Sequence, residues 1–599
     1  MEVAMKKRIL AAALACVLLA GCGVRTPAPA EETPEERPVI AYVPLDDRPD
    51  NVERVVYLAE SVGYSLVMPE ADLYRTRLDG QPTNENGTQY GDIAALYEWV
   101  LDQEAAGCDR YILSMDQMLS GGLVNSRHTA ETLAVTLSDG TVMTDRELLG
   151  GLLTALAADE NNRVWLLDSV MRLAPTVGYA GFGIEEYNAL RAYGAAPRKE
   201  AAGAELTVEA IAADYRLGSG EALLRAADFG LTEEQADTYL SARRRKLELS
   251  DQMMEVVSGR EYGNFRVLIG IDDSSAEECI QKNEIAYLRS RLRAGDALLS
   301  GVDDLAYKAV AKLYLEECGW SGGTAAVRYF GGSEKEPACA YDFQPLDDIM
   351  EEHLAFFALT RSGNYRAAGL QVLVLTQPQA AENSGTYYTQ LIEALKECRE
   401  RGWPTILIDA GNGAYGTAFH EALTEQVELG WLLSYAGFLD MAIVTGTALS
   451  HGVARYAHLE HGETSTGEEK AFAKTLADSI LKDFCYKNVV REDLLAYIRN
   501  DLGASPDNFW NPDTDRETIL RRLEQGMEAA ARSVVKNLER SNCIVSLDRS
   551  AENGGLAGWG GVELSNYRFP WDRAFEIGMD IEVGDFTKPH KSVLGVYYQ

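Results

Sequence analysis

Val39-Ile40-Ala41-Tyr42-Val43-Pro44-Leu45 is an apolar run that stops at Asp46-Asp47. A run of this length, rich in Val and Ile and followed by a helical pattern over Val52–Val62, reads as a parallel strand buried on both faces. The figure recurs along the chain. Tyr111–Met115 stops at Asp116, Val164–Leu167 at Asp168, Val267–Ile271 at Asp272-Asp273, Ala297–Val302 at Asp303-Asp304, and Thr405–Ile408 at Asp409. Helical patterns over Ile93–Ala105, Arg146–Ala158 and Ala276–Ala294 fall between them, with Leu206–Val257 almost all helix. Such βα repeats predict an α/β fold with a mostly parallel sheet. In open α/β sheets and in (β/α)-barrels, ligands bind at the carboxyl ends of the strands. The chain therefore places carboxylates where a site forms.

At 599 residues the chain exceeds what one core supports. An N-terminal α/β domain is expected over 39–324, its strands forming either a doubly wound sheet or an incomplete (β/α)-barrel, with the barrel-like arrangement preferred. A second α/β domain is expected over 325–460, with strands at Ala325–Tyr329, Leu370–Leu375, Thr405–Ile408 and Met441–Val444 and helices over Asp347–Leu359, Tyr387–Arg401 and Thr417–Leu423. Residues 461–599 read as an amphipathic helical segment from Glu468 to Glu539, then a small β region from Cys543.

Ninety-two acids against 56 bases give a net charge of −36. That argues against nucleic acid, which needs a basic footprint, and against docking on anionic lipid. The N-terminus is more specific. Lys6-Lys7-Arg8 precedes a short apolar stretch, Ile9–Ala20, too short to span a membrane as a mature helix. It ends in Leu19-Ala20-Gly21-Cys22, which resembles the bacterial lipobox. The resemblance implies removal of 1–21 as a lipoprotein signal peptide and lipidation of Cys22. Residues 22–38, with Pro27, Pro29, Pro34 and Pro38, read as an extended tether. The expected place is outside the cytoplasmic membrane, held there by lipid. The alternative is an ordinary secretory signal or an uncleaved anchor. The remaining cysteines are widely spaced and form no Cys-x-x-Cys pair, so neither a disulfide framework nor a zinc ribbon is expected. Cys318 with Cys339 is the one bridge worth considering.

Several strings match one family. They are Tyr42-Val43-Pro44-Leu45-Asp46-Asp47-Arg48-Pro49, the segment Ser114–Arg127, Val170-Met171-Arg172 with Pro175-Thr176, Ile271-Asp272-Asp273, and Phe569-Pro570-Trp571-Asp572-Arg573-Ala574-Phe575-Glu576. Together they resemble the uncharacterised bacterial family called domain of unknown function 4127. The resemblance covers nearly the whole chain after the tether and carries no established reaction. The chain departs from the family pattern at Gly301-Val302-Asp303-Asp304, where Gly-Ala-Asp-Glu is usual, and at Ala436-Gly437-Phe438-Leu439-Asp440, where Gly-Trp-Asn-Thr is usual.

Asp272-Asp273 has the clearest chemical use. Adjacent aspartates after a strand project to different sides, so one can orient a group while the other exchanges a proton. Glycosidases that use the substrate's own acetamido group carry such a pair. The simpler reading is that Asp273 or Ser274 caps a helix beginning near Ala276. Around this pair the candidate ligand contacts are Asp46, Asp47, Arg48, Asp116, Asn125, Arg127, Arg172, Asp303, Asp304, Asp409 and Asn412. Gly121 and Gly122 are added as places where backbone can approach a ligand. Each has a local alternative: a salt-bridged turn for Asp46–Arg48, an Asp168–Arg172 pair one helical turn apart, and a helix cap for Asp303-Asp304. Trp559 and Trp571 lie in glycine- and proline-rich surroundings, where one of them could line a cleft.

His451, His458 and His461 could share a helix face, but packing is the simpler role and no metal is assigned. There is no nucleophile elbow, phosphate loop or cofactor fingerprint, so no cofactor is expected. The leading expectation is a surface-anchored carbohydrate hydrolase with Asp272 and Asp273 as catalytic groups and a glycan or small molecule as partner. The alternatives are a non-catalytic sugar-binding lipoprotein, and a metal-dependent esterase or phosphatase destabilised by chelator.

Overall fold

The computed structural model describes residues 37–591 except 276, 438–440, 462–463, 508 and 510–514. The expected signal peptide, Cys22, all but the last two residues of the tether, and Phe438-Leu439-Asp440 therefore lie outside the described residues. The first sheet holds six parallel strands: β1 (Val39–Val43), β2 (Ser65–Val67), β3 (Arg110–Ser114), β4 (Arg163–Val170), β5 (Phe265–Ile271) and β6 (Ala297–Ser300), in the order β2-β1-β3-β4-β5-β6. The second holds β7 (Gly323–Phe330), β8 (Leu359–Arg361), β9 (Leu370–Leu375), β10 (Thr405–Asp409) and β11 (Ser434–Gly437), in the order β8-β7-β9-β10-β11, again all parallel.

Neither sheet closes, so the barrel-like expectation gives way to two doubly wound sheets. The reason is strand order. From β1 the chain steps out to β2, then returns across β1 to β3, and this reversal leaves β2 and β6 as open edges. The same reversal occurs between β7 and β9. At such a switch point the crossovers leave in opposite directions and open a crevice beyond the carboxyl ends of the strands.

The strands are apolar on both faces because helices cover both. Ala41, Val43, Leu113, Leu166 and Ile269 pack on one side with helices Ile93–Ala105, Asp145–Leu156 and Glu233–Val256. Ile40, Tyr42, Ile112, Trp165 and Leu268 point the other way. They join the core that also contains Val372, Val374, Ile406 and Ile408 of the second sheet. Helices Leu305–Glu317 and Met441–His461 lie in that shared layer. The far face of the second sheet, Leu373, Leu375, Leu407 and Tyr435, packs against the C-terminal helices and hairpins.

Three local expectations change. Met441–Val444 opens a helix, and the last strand is Ser434–Gly437 instead. Leu359–Arg361 is an edge strand, not the end of a helix. The helix after Asp272-Asp273 starts only at Gln281, with no side-chain cap, so Asp273 and Ser274 do not cap it. The C-terminal part is helical over 466–500, which includes a π-helical stretch at Ile480–Val490, and again over Arg516–Leu538. Two small antiparallel pairs then follow. No disulfide joins Cys318 to Cys339. Among the described residues no helix is long and apolar enough to cross a membrane.

Candidate functional site

A cavity of about 630 Å³ opens beyond the carboxyl ends of the first sheet. Each strand but the edge strand β2 sends a side chain to its wall: Arg48 after β1, Arg127 from the segment after β3, Arg172 after β4, Asp272 and Asp273 after β5, and Asp303 after β6. The opposite wall comes from elsewhere. Gly437 ends β11, Thr447 lies on the following helix, Asp483 and Lys487 lie on the π-helical stretch, and Trp571, Arg573 and Glu576 come from the C-terminal segment.

Arg48 organises one side. Its guanidinium holds Asp46 at 2.7 Å and Asp303 at 2.6 Å, and its Nε is 3.7 Å from Glu576. Asp46 is wholly buried and also accepts the backbone N–H of Arg48 and the Asn51 amide, so it faces Arg48 and not a ligand. The guanidinium lies over the Trp571 ring, 4.9 Å from its centroid. The Trp571 indole N–H donates to Asp47 at 2.8 Å. Burial lifts the Asp47 carboxyl to about 6 against the pull of that hydrogen bond. Segments more than 500 positions apart thus meet through one stacked arginine. Trp571 and Asp572 both hold left-handed backbone, φ 56° and 47°. Two consecutive non-glycine residues in that region store strain, a condition that clusters at functional sites.

Asp272 and Asp273 differ in setting. Asp272 Oδ2 receives both Nε and Nη2 of Arg127, at 3.0 and 2.5 Å, and its Oδ1 accepts the Asp273 backbone N–H. Both oxygens are occupied, and Arg127 is itself fixed by Thr176. Asp273 Oδ2 pairs with Arg172 at 2.6 Å, while its Oδ1 takes no partner among the described residues. Burial pushes the Asp273 carboxyl up, opposed by Arg172 and reinforced by Asp272. Arg172 therefore pairs with Asp273 and touches Tyr187. The expected Asp168–Arg172 pair does not form, since Asp168 holds Lys246 and Ser250.

Glu576 is the carboxyl that strand-end reasoning missed. Burial pushes it up to about 8, Asp50 adds to the push, and Arg48 and Lys487 resist. Asp50 behaves oppositely: burial raises it, but Arg54, Lys487 and Lys482 outweigh that and hold it below the usual carboxylate range. Asp483 and Lys487, paired at 3.1 Å, reach the cavity from the π-helical stretch, whose wider turn alters which side chains share a face. The one signal for this wall was the string Phe569–Glu576. Nothing comparable marks Lys487.

The other candidates stand apart. Asp116 is buried under the sheet end, bound by Lys246 at 2.6 Å and by the Ser169 hydroxyl at 2.7 Å. Asn125 accepts the Tyr179 hydroxyl and donates to the Ser120 carbonyl. Gly121 and Gly122 have φ of 72° and 129°, and a Cβ would sit 2.6 Å from the Tyr90 ring at Gly121 and 3.1 Å from Gln117 Oε1 at Gly122, so their close approaches are to Tyr90 and Gln117. Asp304 occupies the N-cap position without capping and pairs with Lys308 at 2.9 Å, where burial lifts it to about 7. Asp409 accepts the Gly411 N–H at the end of the second sheet, and Asn412 donates to the Ala338 carbonyl. Neither lines the cavity. Trp571 is the tryptophan at the cleft, whereas Trp559 is buried and donates to the Gly430 carbonyl. His451 packs on Phe472, His458 bonds Tyr314 and His461 bonds the Ala457 carbonyl. Among the described residues no group of three His, Cys, Asp or Glu side chains is placed to hold a metal ion.

No curated protein and no solved structure matches this chain. The family described as "Protein of unknown function (DUF4127)" matches residues 40–580, and the chain belongs to that family.

Proposed function

We propose that the protein is an extracytoplasmic glycan hydrolase held at the membrane by a lipid on Cys22. One observation carries the catalytic part: two carboxyls in different electrostatic settings, Asp273 and Glu576, line one cavity at the strand ends. Burial raises both carboxyls, and what distinguishes them is the partner: Arg172 at 2.6 Å from Asp273, Arg48 Nε at 3.7 Å from Glu576. Glu576, at about 8, keeps its proton near neutrality and is suited to protonate a leaving oxygen. Asp273, steered by Arg172, has an oxygen open to a water or to a substrate acetamide. Asp272, with both oxygens occupied, is a positioning residue. The dipeptide alone leaves the two roles undivided between Asp272 and Asp273. The lipid rests on Lys6-Lys7-Arg8, the apolar stretch and Leu19-Ala20-Gly21-Cys22.

The test is hydrolysis across chromogenic glycosides and natural glycans. Glu576→Gln and Asp273→Asn should each lower turnover by about 10²–10⁴-fold, as removal of a general acid or base does. Wild type inert on every substrate refutes the reading. Cys22→Ala should move the protein from the membrane fraction to the soluble one.

One observation favours a second reading. Asp272, Asp273 and Asp303 are each paired with an arginine, which suits a rigid binding site as well as a reactive one. A sugar that raises the melting temperature and is never turned over would select a binding lipoprotein.

A further inference from the structure

The arginines of the cavity are not equivalent. Arg48, Arg54, Arg127 and Arg172 each hold a carboxylate within 3.2 Å. Arg573 does not. Its side chain makes no hydrogen bond or ion pair with the described residues, and its Nε is fully enclosed without an acceptor. Its guanidinium lies 5.8 Å from the centroid of the Phe575 ring, which leaves the donor edge of the fork available. Arg573 is half-buried at the cavity wall with only its Nε enclosed, and burial drags it below its ordinary value with Asp507 the largest opposing influence. No carboxylate oxygen among the described residues comes within ion-pair distance of it. The adjacent carboxylate, Asp572, faces Arg516 at 3.4 Å, and Glu576, three residues on, is largely protonated near neutrality.

We propose, building on the glycan reading above, that the sugar bound here carries a carboxylate and that Arg573 is the fork that receives it. A uronic acid fits better than a phosphorylated or sulfated sugar. The wall also carries Asp50, Asp272, Asp273, Asp303 and Asp483, which would repel a phosphate dianion more strongly than a single delocalised charge. A planar carboxylate also matches the two parallel N–H donors of a guanidinium. The neutral face of the same sugar would meet Phe575 on the cavity wall.

The experiment is calorimetric titration of the lipid-free mature chain with matched oligosaccharides, one series of hexuronates and one of the corresponding neutral hexoses. Wild type should bind the hexuronate at least 10-fold more tightly. Arg573→Gln should reduce it to the neutral level, and Arg573→Lys, which keeps the charge and loses the fork, should fall between. Equal binding of the two series by wild type overturns the carboxylate proposal and leaves the glycan reading standing. Preferential binding of sulfated or phosphorylated analogues over the hexuronate also overturns it. Failure of both series to bind, with wild type folded by circular dichroism, overturns this proposal and counts against the glycan reading too. A preference that survives in Arg573→Gln overturns the assignment to Arg573.

Discussion

Glu576 sits among four charges of both signs, Arg48, Asp50, Lys487 and Asp303, and burial outweighs them. Its proton has a measurable consequence for stability. The ordinary value is 4.5 and the folded value is about 8, so between these limits the folded protein holds a proton that the unfolded chain releases. Stability rises with pH where the unfolded state binds more protons, and here the folded state does. The contribution of Glu576 is therefore fully present below about pH 4.5 and is lost as pH rises toward 8. One pKa unit corresponds to 1.36 kcal/mol, so wild type should lose about 3 kcal/mol relative to Glu576→Gln between pH 5 and pH 8. Urea melts of both proteins across that range measure it. Parallel profiles would show that Glu576 is ionised throughout, and the acid role would go with it. The same residue shows where sequence patterns stop. Asp272, Asp273 and Asp303 were legible because each ends an apolar strand run. Glu576 follows Phe575 in a segment with no period, and only tertiary packing brings it to Arg48.

At the scale of elements, strands were easier to recognise than their order. Parallel strands covered on both faces must be apolar throughout, so runs such as Val267–Ile271 identify themselves. Whether they close into a barrel depends on which strand lies beside which, and an apolar run carries no record of its neighbour. Ser434-Tyr435-Ala436-Gly437 is short and small, so Met441–Val444 competed for the strand assignment. Its residues instead open the helix that fills the layer between the sheets. That helix makes a sharp prediction at Gly446. A Cβ there would lie 1.8 Å from Asp304 Oδ2 and 2.4 Å from Lys308 Cε. In an exposed helix, Gly→Ala is stabilising by roughly 1 kcal/mol. Here Asp304 and Lys308 are buried and hold each other, so neither can move aside without loosening the pair. Overpacking costs about 1–3 kcal/mol and outweighs propensity. Gly446→Ala should lower the melting temperature, and an unchanged or raised value would mean the layer is loosely packed.

For the whole molecule, the question is whether the two sheets unfold separately. The first draws its strands from residues 39–300 and the second from 323–437, which by length alone suggests two independent bodies. The layer between them argues otherwise. Leu305, Tyr307, Val310 and Leu313 on one helix and Val444 and Leu449 on the other belong to the same buried cluster as Ile40, Tyr42, Val372 and Ile406. Unfolding one sheet alone would expose that layer. Six such side chains at about 1.5–3 kcal/mol each represent roughly 9–18 kcal/mol, as large as the whole stability of a typical domain, about 5–15 kcal/mol. A state with one sheet melted should therefore not accumulate. The C-terminal segment adds to the coupling, because Trp571 and Glu576 reach back to Asp47 and Arg48 at the first strand. Scanning calorimetry of the mature chain should give one endotherm, with the calorimetric enthalpy close to the van't Hoff enthalpy. Two resolved endotherms would mean that the central layer splits at little cost. A cavity walled by both sheets and the C-terminal segment would then be a transient meeting of parts, and Arg48, Asp273 and Glu576 could not be counted on to act together.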